Sequence, residues 1–154
     1  KIRYGKGVEL TIRNERVVGS IGLYHACCEL SRRGWRVSMT RRGWKHISRN
    51  IGGIDINLLN ESSTKDLTIQ IMVVLDSAPV PFGNEIDNLS ADFVMFCGSI
   101  KNDESVNSVR SIPDMFIMSK EEIISTATQN NGNYWLNESE YKLYKDKWEK
   151  IGFG

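Results

Sequence analysis

Four apolar residues in succession, Met72-Val73-Val74-Leu75, close a β-rich stretch over residues 67–75 and constrain the fold more than any other feature. A strand with one face in water alternates apolar and polar side chains, whereas an unbroken apolar run implies cover on both faces. The chain therefore needs a central sheet with a layer on each side, and its 154 residues, 40% of them hydrophobic, are enough to build one.

The neighbouring patterns supply the other elements. Val8, Leu10 and Ile12 alternate with polar neighbours as a short edge strand, and residues 17–33 carry helical spacing that ends at Gly34, the place of a C-cap glycine. Residues 35–39 and 54–59 read as strands, with a turn over 60–64 between the second of these and the run at 67–75. Pro79, Pro81 and Gly83 punctuate the chain as a loop, and strands follow at 92–97 and 115–118. Ser119 and Glu122 form a capping box that opens a helix through Ala127. A loop over 130–133, a short extended piece at 134–136 and a last helix over 139–151 complete the pattern. In that last helix Tyr141, Tyr144, Trp148 and Ile151 recur at three- and four-residue steps, a stripe that reads as core. Runs of strands with separated helices imply an α/β mixed central sheet flanked by helices. The expectation is a single domain over 1–154, with residues 1–16 an extra edge strand or extension.

Composition limits the function classes. A net charge of +1 gives no whole-molecule attraction to nucleic acid or membrane, so any electrostatic argument has to be local. No run approaches the roughly 18 apolar residues of a membrane span, and no signal-peptide pattern opens the sequence. The three cysteines include the adjacent pair Cys27 and Cys28, which suits neither a disulfide framework nor a zinc site. They read as small hydrophobes in a reducing, cytoplasmic setting. No Ser-His-Asp order or glycine-rich phosphate loop stands out, and His25 reads as a packed or surface histidine on the first helix.

Chemistry concentrates in two segments, Gly52-Gly53-Ile54-Asp55-Ile56 and Thr68-Ile69-Gln70-Ile71-Met72, preceded by a helix ending Arg32-Arg33-Gly34-Trp35. Strand side chains alternate with period two, so positions 70 and 72 share one face of their strand. In this order the segments resemble the PD-(D/E)XK nuclease superfamily, which includes restriction endonucleases and Holliday-junction resolvases. Pro79-Val80-Pro81, Asp87-Asn88-Leu89, Ala91-Asp92-Phe93 and Tyr134-Trp135-Leu136 extend the resemblance over most of the chain from about Val18 onwards. It implies a restriction-endonuclease-like core. Asp55 and Gln70 would stand as catalytic ligands of Mg²⁺ or Mn²⁺, with the Ile71 carbonyl as a third donor. Two positions depart from the pattern. Met72 stands where the family has a lysine that orients water and steadies developing charge, and methionine has no proton to exchange. The helix carboxylate position falls on Leu23, with Glu29 as the alternative, six residues further along.

A second signal is electrostatic. Arg32, Arg33, Arg36, Arg41, Arg42, Lys45 and Arg49 lie between Glu29 and Asp55 without one acidic residue, and Trp35, Trp44 and His46 are interleaved. Arginines can hold phosphates bidentately and Trp44 could stack on a base, so Arg36, Arg41, Arg42, Trp44, Lys45, His46 and Arg49 are candidate DNA contacts. Three readings stand open at this point. The first is a nucleic-acid-binding protein of nuclease ancestry whose phosphodiesterase activity is weak or lost. The second is an active Mg²⁺-dependent endonuclease with its lysine role moved to Lys45, Lys65 or Arg49. The third is a non-catalytic protein-interaction subunit. A homodimer is an expectation by analogy with similar nucleases.

Overall fold

A computed structural model describes residues 15–40, 53–84, 86–98 and 112–154. The strand expected at residues 8–13 lies outside these. The first described element is α1 (Glu15–Arg32), followed by β1 (Arg36–Met39), β2 (Ile56–Leu59) and β3 (Asp66–Val73). Then come β4 (Val80–Gly83), a 3₁₀ turn over Ile86–Asn88, β5 (Phe93–Cys97) and β6 (Met115–Ser119). The chain continues with α2 (Lys120–Thr126), β7 (Thr128–Asn130), β8 (Asn133–Leu136) and α3 (Glu138–Tyr141).

Five strands form one mixed sheet in the order β1-β2-β3-β5-β6. The β1-β2-β3 meander is antiparallel, β5 joins β3 in parallel, and β6 returns antiparallel to β5. A parallel neighbour needs a crossover, and the segment carrying β4 and the 3₁₀ turn provides it. Helix, three-strand meander, crossover and parallel strand make up the core of this sheet. The expected α/β architecture is thus observed.

Both faces of this sheet are covered, as the apolar run requires. Ile69 and Ile71 enter a cluster with Leu23, Ala26, Leu30, Trp35, Met95, Cys97, Trp148 and Ile151. Met72 and Val74 enter a second cluster with Phe82, Leu89, Val94, Phe96, Ile123, Leu136 and Tyr141. Helix α1 lies over the first face. It ends where Trp35 N–H bonds the Leu30 carbonyl and Gly34 N–H bonds that of Ser31, with Gly34 at φ +89°, a Schellman closure that only glycine adopts without strain.

One contact fixes how closely α1 approaches the sheet. Gly22 is buried, and a Cβ there would overlap Cys97 Sγ, itself packed on Met115 Sδ at 3.4 Å. In an exposed helix Gly→Ala stabilises by about 1 kcal/mol. Here overpacking reverses the sign, and Gly22→Ala is expected to cost about 2 kcal/mol by urea unfolding. Cys97→Ala in the same chain should recover part of that loss, as coupled neighbours do. A Gly22→Ala variant as stable as wild type would contradict the close approach.

Two expectations are corrected. Residues 79–83 are not a loop: β4 pairs with β8 in a second sheet of order β4-β8-β7. Pro81 is tolerated because β4 is an edge strand, and the register shift between Pro81 and Gly83 (φ +63°) is a bulge. The β7–β8 hairpin turns on Asn131 and Gly132, both at positive φ, as a two-residue Asn-Gly turn demands. The last helix over 139–151 is also absent. It breaks into α3 and 3₁₀ turns at Lys142–Tyr144 and Trp148–Lys150, because Lys145 is extended and Asp146 takes φ +53°. Its stripe nonetheless reads as core: Tyr141, Trp148 and Ile151 are buried. The capping box at Ser119 is formed, with Glu122 N–H on Ser119 Oγ at 3.1 Å and Ser119 N–H on Glu122 Oε1 at 3.0 Å.

Candidate functional site

Among the described residues, the polar or charged side chains classed as buried are those of Asp55 and Gln70, at 2% and 1% exposure. They lie side by side where β2 begins to pair with β3. Asp55 N–H bonds the Ile69 carbonyl at 2.8 Å, and Asp55 Oδ2 accepts the Ile71 N–H at 2.7 Å. The aspartate therefore brackets Gln70, holding the β3 backbone on either side of it. Its carboxylate does the work of a ladder carbonyl at the point where β2 has not yet started. Asp55 also lies close enough to Cys97 that its charge adds to the effect of burial, and together they push the Cys97 thiol up to about 12.

The other side of Asp55 is tied to β1. Thr40 N–H donates to the Asp55 carbonyl at 2.9 Å, and Thr40 Oγ1 donates to the Ile54 carbonyl at 2.6 Å. Thr40 carries no motif, and its role depends on a pairing across 14 residues that sequence spacing does not reveal. Asp92, within the Ala91-Asp92-Phe93 stretch, ties strands together in the same way. It accepts the N–H and hydroxyl of Thr68 at 2.9 and 3.0 Å, fastening the start of β5 to β3.

Along β3, Ile69 and Ile71 point into the cluster under α1, while Gln70 and Met72 belong to the opposite face. Gln70 sits opposite Val94 and Met72 opposite Phe96. Met72 is 2% exposed within the second apolar cluster. Leu23 is buried in the first cluster, and Glu29 accepts a hydrogen bond from Arg32 Nη1 at 3.0 Å on the last turns of α1. Of the candidate basic residues, Arg36 is exposed on β1 and its guanidinium donates to Ser63 Oγ at 2.7 Å. Lys65 lies over the Trp35 ring, 5.6 Å from its centroid. It is five residues before Gln70, about 17 Å along an extended chain. Arg41, Arg42, Trp44, Lys45, His46 and Arg49 lie outside the described residues. The residues flanking that segment, Thr40 and Gly53-Ile54-Asp55, are described, and Thr40 is hydrogen-bonded to the Ile54 and Asp55 carbonyls.

The donors offered at Asp55 and Gln70 make a sparse set for Mg²⁺ or Mn²⁺: one carboxylate, one amide and the Ile71 carbonyl, with one carboxylate oxygen already accepting an N–H. Mg²⁺ keeps several waters in an octahedral shell, which side chains this buried leave little room for. Among the described residues no group of three His, Cys, Asp or Glu gathers to hold a metal. None of their helices is long and apolar enough to cross a membrane.

No family model matches the chain, and no curated protein matches it. Among solved structures it is similar to the Holliday junction resolvase Hjc of the archaeal hyperthermophile Archaeoglobus fulgidus, at 13% identity and a TM-score of 0.49. The likeness covers 86% of this chain and 93% of that one. It assigns no role to any residue.

Proposed function

We propose that this chain is a single-domain, nucleic-acid-binding protein of PD-(D/E)XK nuclease ancestry, with DNA as its partner and phosphodiesterase activity weak or lost. The observation that carries the reading is Met72, which occupies the lysine position and is buried in the second apolar cluster. An uncharged thioether in an apolar layer neither deprotonates water nor steadies a phosphorane, and loss of a positioned acid–base group costs about 10²–10⁴-fold in rate. Asp55 supports the same reading, because its carboxylate is engaged in holding β3.

The case for DNA rests on local charge. Seven Lys and Arg residues fall between Glu29 and Asp55 with no acidic residue among them. Thr40 and Ile54-Asp55, which flank the segment that carries Arg41, Arg42, Lys45 and Arg49, are hydrogen-bonded to each other. Such a cluster neutralises phosphates and releases counterions, giving salt-sensitive binding. The free thiols of Cys27, Cys28 and Cys97 suit a reducing, cytoplasmic setting.

Titration of labelled duplex and branched DNA at several salt concentrations tests the proposal. Binding at low salt should weaken as salt rises, and Arg41→Ala with Arg42→Ala should lower affinity about tenfold and flatten the salt slope by roughly two. Incubation of the same DNA with Mg²⁺ or Mn²⁺ should give no cleavage. Metal-dependent nicking lost in Asp55→Ala would overturn the loss of activity. Absence of binding at low salt would leave the protein-interaction reading.

A further inference from the structure

A cavity of about 330 Å³ opens where β3 leaves the first sheet and β4 enters the second. Its floor is apolar, with Met72 and Val74 both buried. Trp135 on β8 lies beside its register partner Pro81 on β4 and forms one wall with it. At the mouth Trp135 is 40% exposed, and Pro79 and Pro81 are exposed with it. Glu15, half-buried in the first turn of α1, is the one charged side chain among the described residues of the lining. The shape is set before any ligand arrives. Asp76 and Ser77 take left-handed backbone, at φ +55° and +58°, in a tight turn closed by Ala78 N–H on the Leu75 carbonyl at 3.1 Å. Residues other than glycine adopt that conformation at a cost, which persists only where the surroundings impose it. Here Tyr141 Oη donates to the Ala78 carbonyl at 3.1 Å and holds the turn against the second sheet.

We propose that this cavity takes a single unpaired nucleobase of bound DNA, stacked on Trp135, with its exocyclic amine donating to the Glu15 carboxylate. The occupant follows from the DNA-binding reading above, and the cavity adds a preference for DNA with unpaired bases. Its volume lies at the lower end of the roughly 300–1,000 Å³ of small-ligand sites, which suits one flat ring system. An indole face and a thioether are both favourable partners for a π-system. The carboxylate selects the base from the rest of the nucleotide. It repels phosphate, which keeps the backbone outside, and it accepts from the amines of cytosine, adenine and guanine. A carboxylate has about four lone-pair sites, so a contact within the chain leaves room for that amine. In a duplex the same base is paired and stacked, and drawing it out costs free energy that an unpaired base does not spend. The location agrees with the occupant. Met72 is two residues along β3 from Gln70, so the cavity begins about 7 Å from the Asp55–Gln70 site. Asp55 in turn accepts the N–H of Thr40, the residue that precedes the basic segment.

Two probes separate this site from DNA binding in general. Deoxycytidine carries no phosphate, so its binding does not call on the basic segment. In protein labelled with ¹⁵N at tryptophan, it should shift the indole N–H signal of Trp135, identified by its absence in Trp135→Phe. The shift should saturate in the millimolar range expected of one stacked base. Deoxyuridine has the same ring without the amine and should bind several-fold more weakly, and Glu15→Ala should bring the two nucleosides level. The second probe is a short labelled single strand of mixed sequence, compared at one low salt concentration with the same strand paired to its complement. Trp135→Ala should lower the ratio of single-strand to duplex affinity about tenfold, and Trp135→Phe should recover most of it. A Trp135 signal indifferent to deoxycytidine would overturn the proposal, even in a protein that binds duplex DNA. So would an affinity ratio indifferent to Trp135→Ala, with the DNA-binding reading left standing. Equal affinity for the two nucleosides would overturn the contact with Glu15. Deoxycytidine held at Trp135 by a protein that binds no DNA would overturn the DNA-binding reading, and with it the assignment of the base to DNA.

Discussion

Met72→Lys is expected to destabilise the protein by ~4 kcal/mol near neutral pH, and not to restore cleavage. On motif spacing alone, lysine at this position would restore one of the two missing parts of a catalytic site. The packing predicts otherwise. Met72 is 2% exposed, Phe96 lies opposite it on β5, and Val94, Phe82 and Leu89 belong to the same apolar cluster. An ammonium placed there loses its hydration, which pushes the lysine pKa below its ordinary value of about 10.4. The unfolded chain then binds more protons than the folded one, so stability rises with pH. The deficit should be largest below the depressed pKa and should shrink steadily towards the unfolded value. Urea unfolding of wild type and variant between neutral and strongly alkaline pH measures this directly. A variant as stable as wild type at neutral pH would mean that position 72 reaches solvent, and the argument from packing against catalysis would fail.

The same position shows how much could be read from the sequence. The unbroken apolar run identified β3 as a strand covered on both faces, because burial leaves its mark directly on residue type. The order of Asp55 and Gln70 was equally legible, since both are polar residues set in apolar strands, and the fold buries both. What stayed hidden depends on partners distant in the chain. Pro81 and Gly83 carry loop signals, and only β8, more than fifty residues later, makes their segment an edge strand. The helical spacing of Tyr141, Trp148 and Ile151 was real as a pattern of burial. The helix itself is broken by the backbone at Lys145 and Asp146, to which side-chain periodicity is blind. Thr40 holds the Asp55 end of the β1–β2 pair through two hydrogen bonds, yet resembles any other threonine in the sequence.

Asp55 is the residue at which structural and catalytic readings diverge most sharply. If its carboxylate serves β3, Asp55→Ala removes the acceptor of a buried N–H, that of Ile71, and breaks a charge-assisted bond of 2.7 Å. Leaving a buried donor without an acceptor costs about 1–3 kcal/mol, and the anionic acceptor places this case near the upper end. The expected loss is ~3 kcal/mol in urea unfolding. Asp55→Asn keeps an oxygen in place and gives up only the charge, so it should lose about half as much. A carboxylate held in place for a resident cation would behave differently. Removing it would relieve the desolvation of a buried carboxylate that lacks its cation, and wild-type stability would climb with added Mg²⁺ or Mn²⁺, by about 2.7 kcal/mol at a hundredfold excess over the dissociation constant. The bond to Ile71 predicts a wild-type midpoint indifferent to either cation, with the stability order wild type, Asp55→Asn, Asp55→Ala. A cation-dependent midpoint, or an Asp55→Ala variant more stable than wild type, would return Asp55 to the metal chemistry that its place in the sequence suggested.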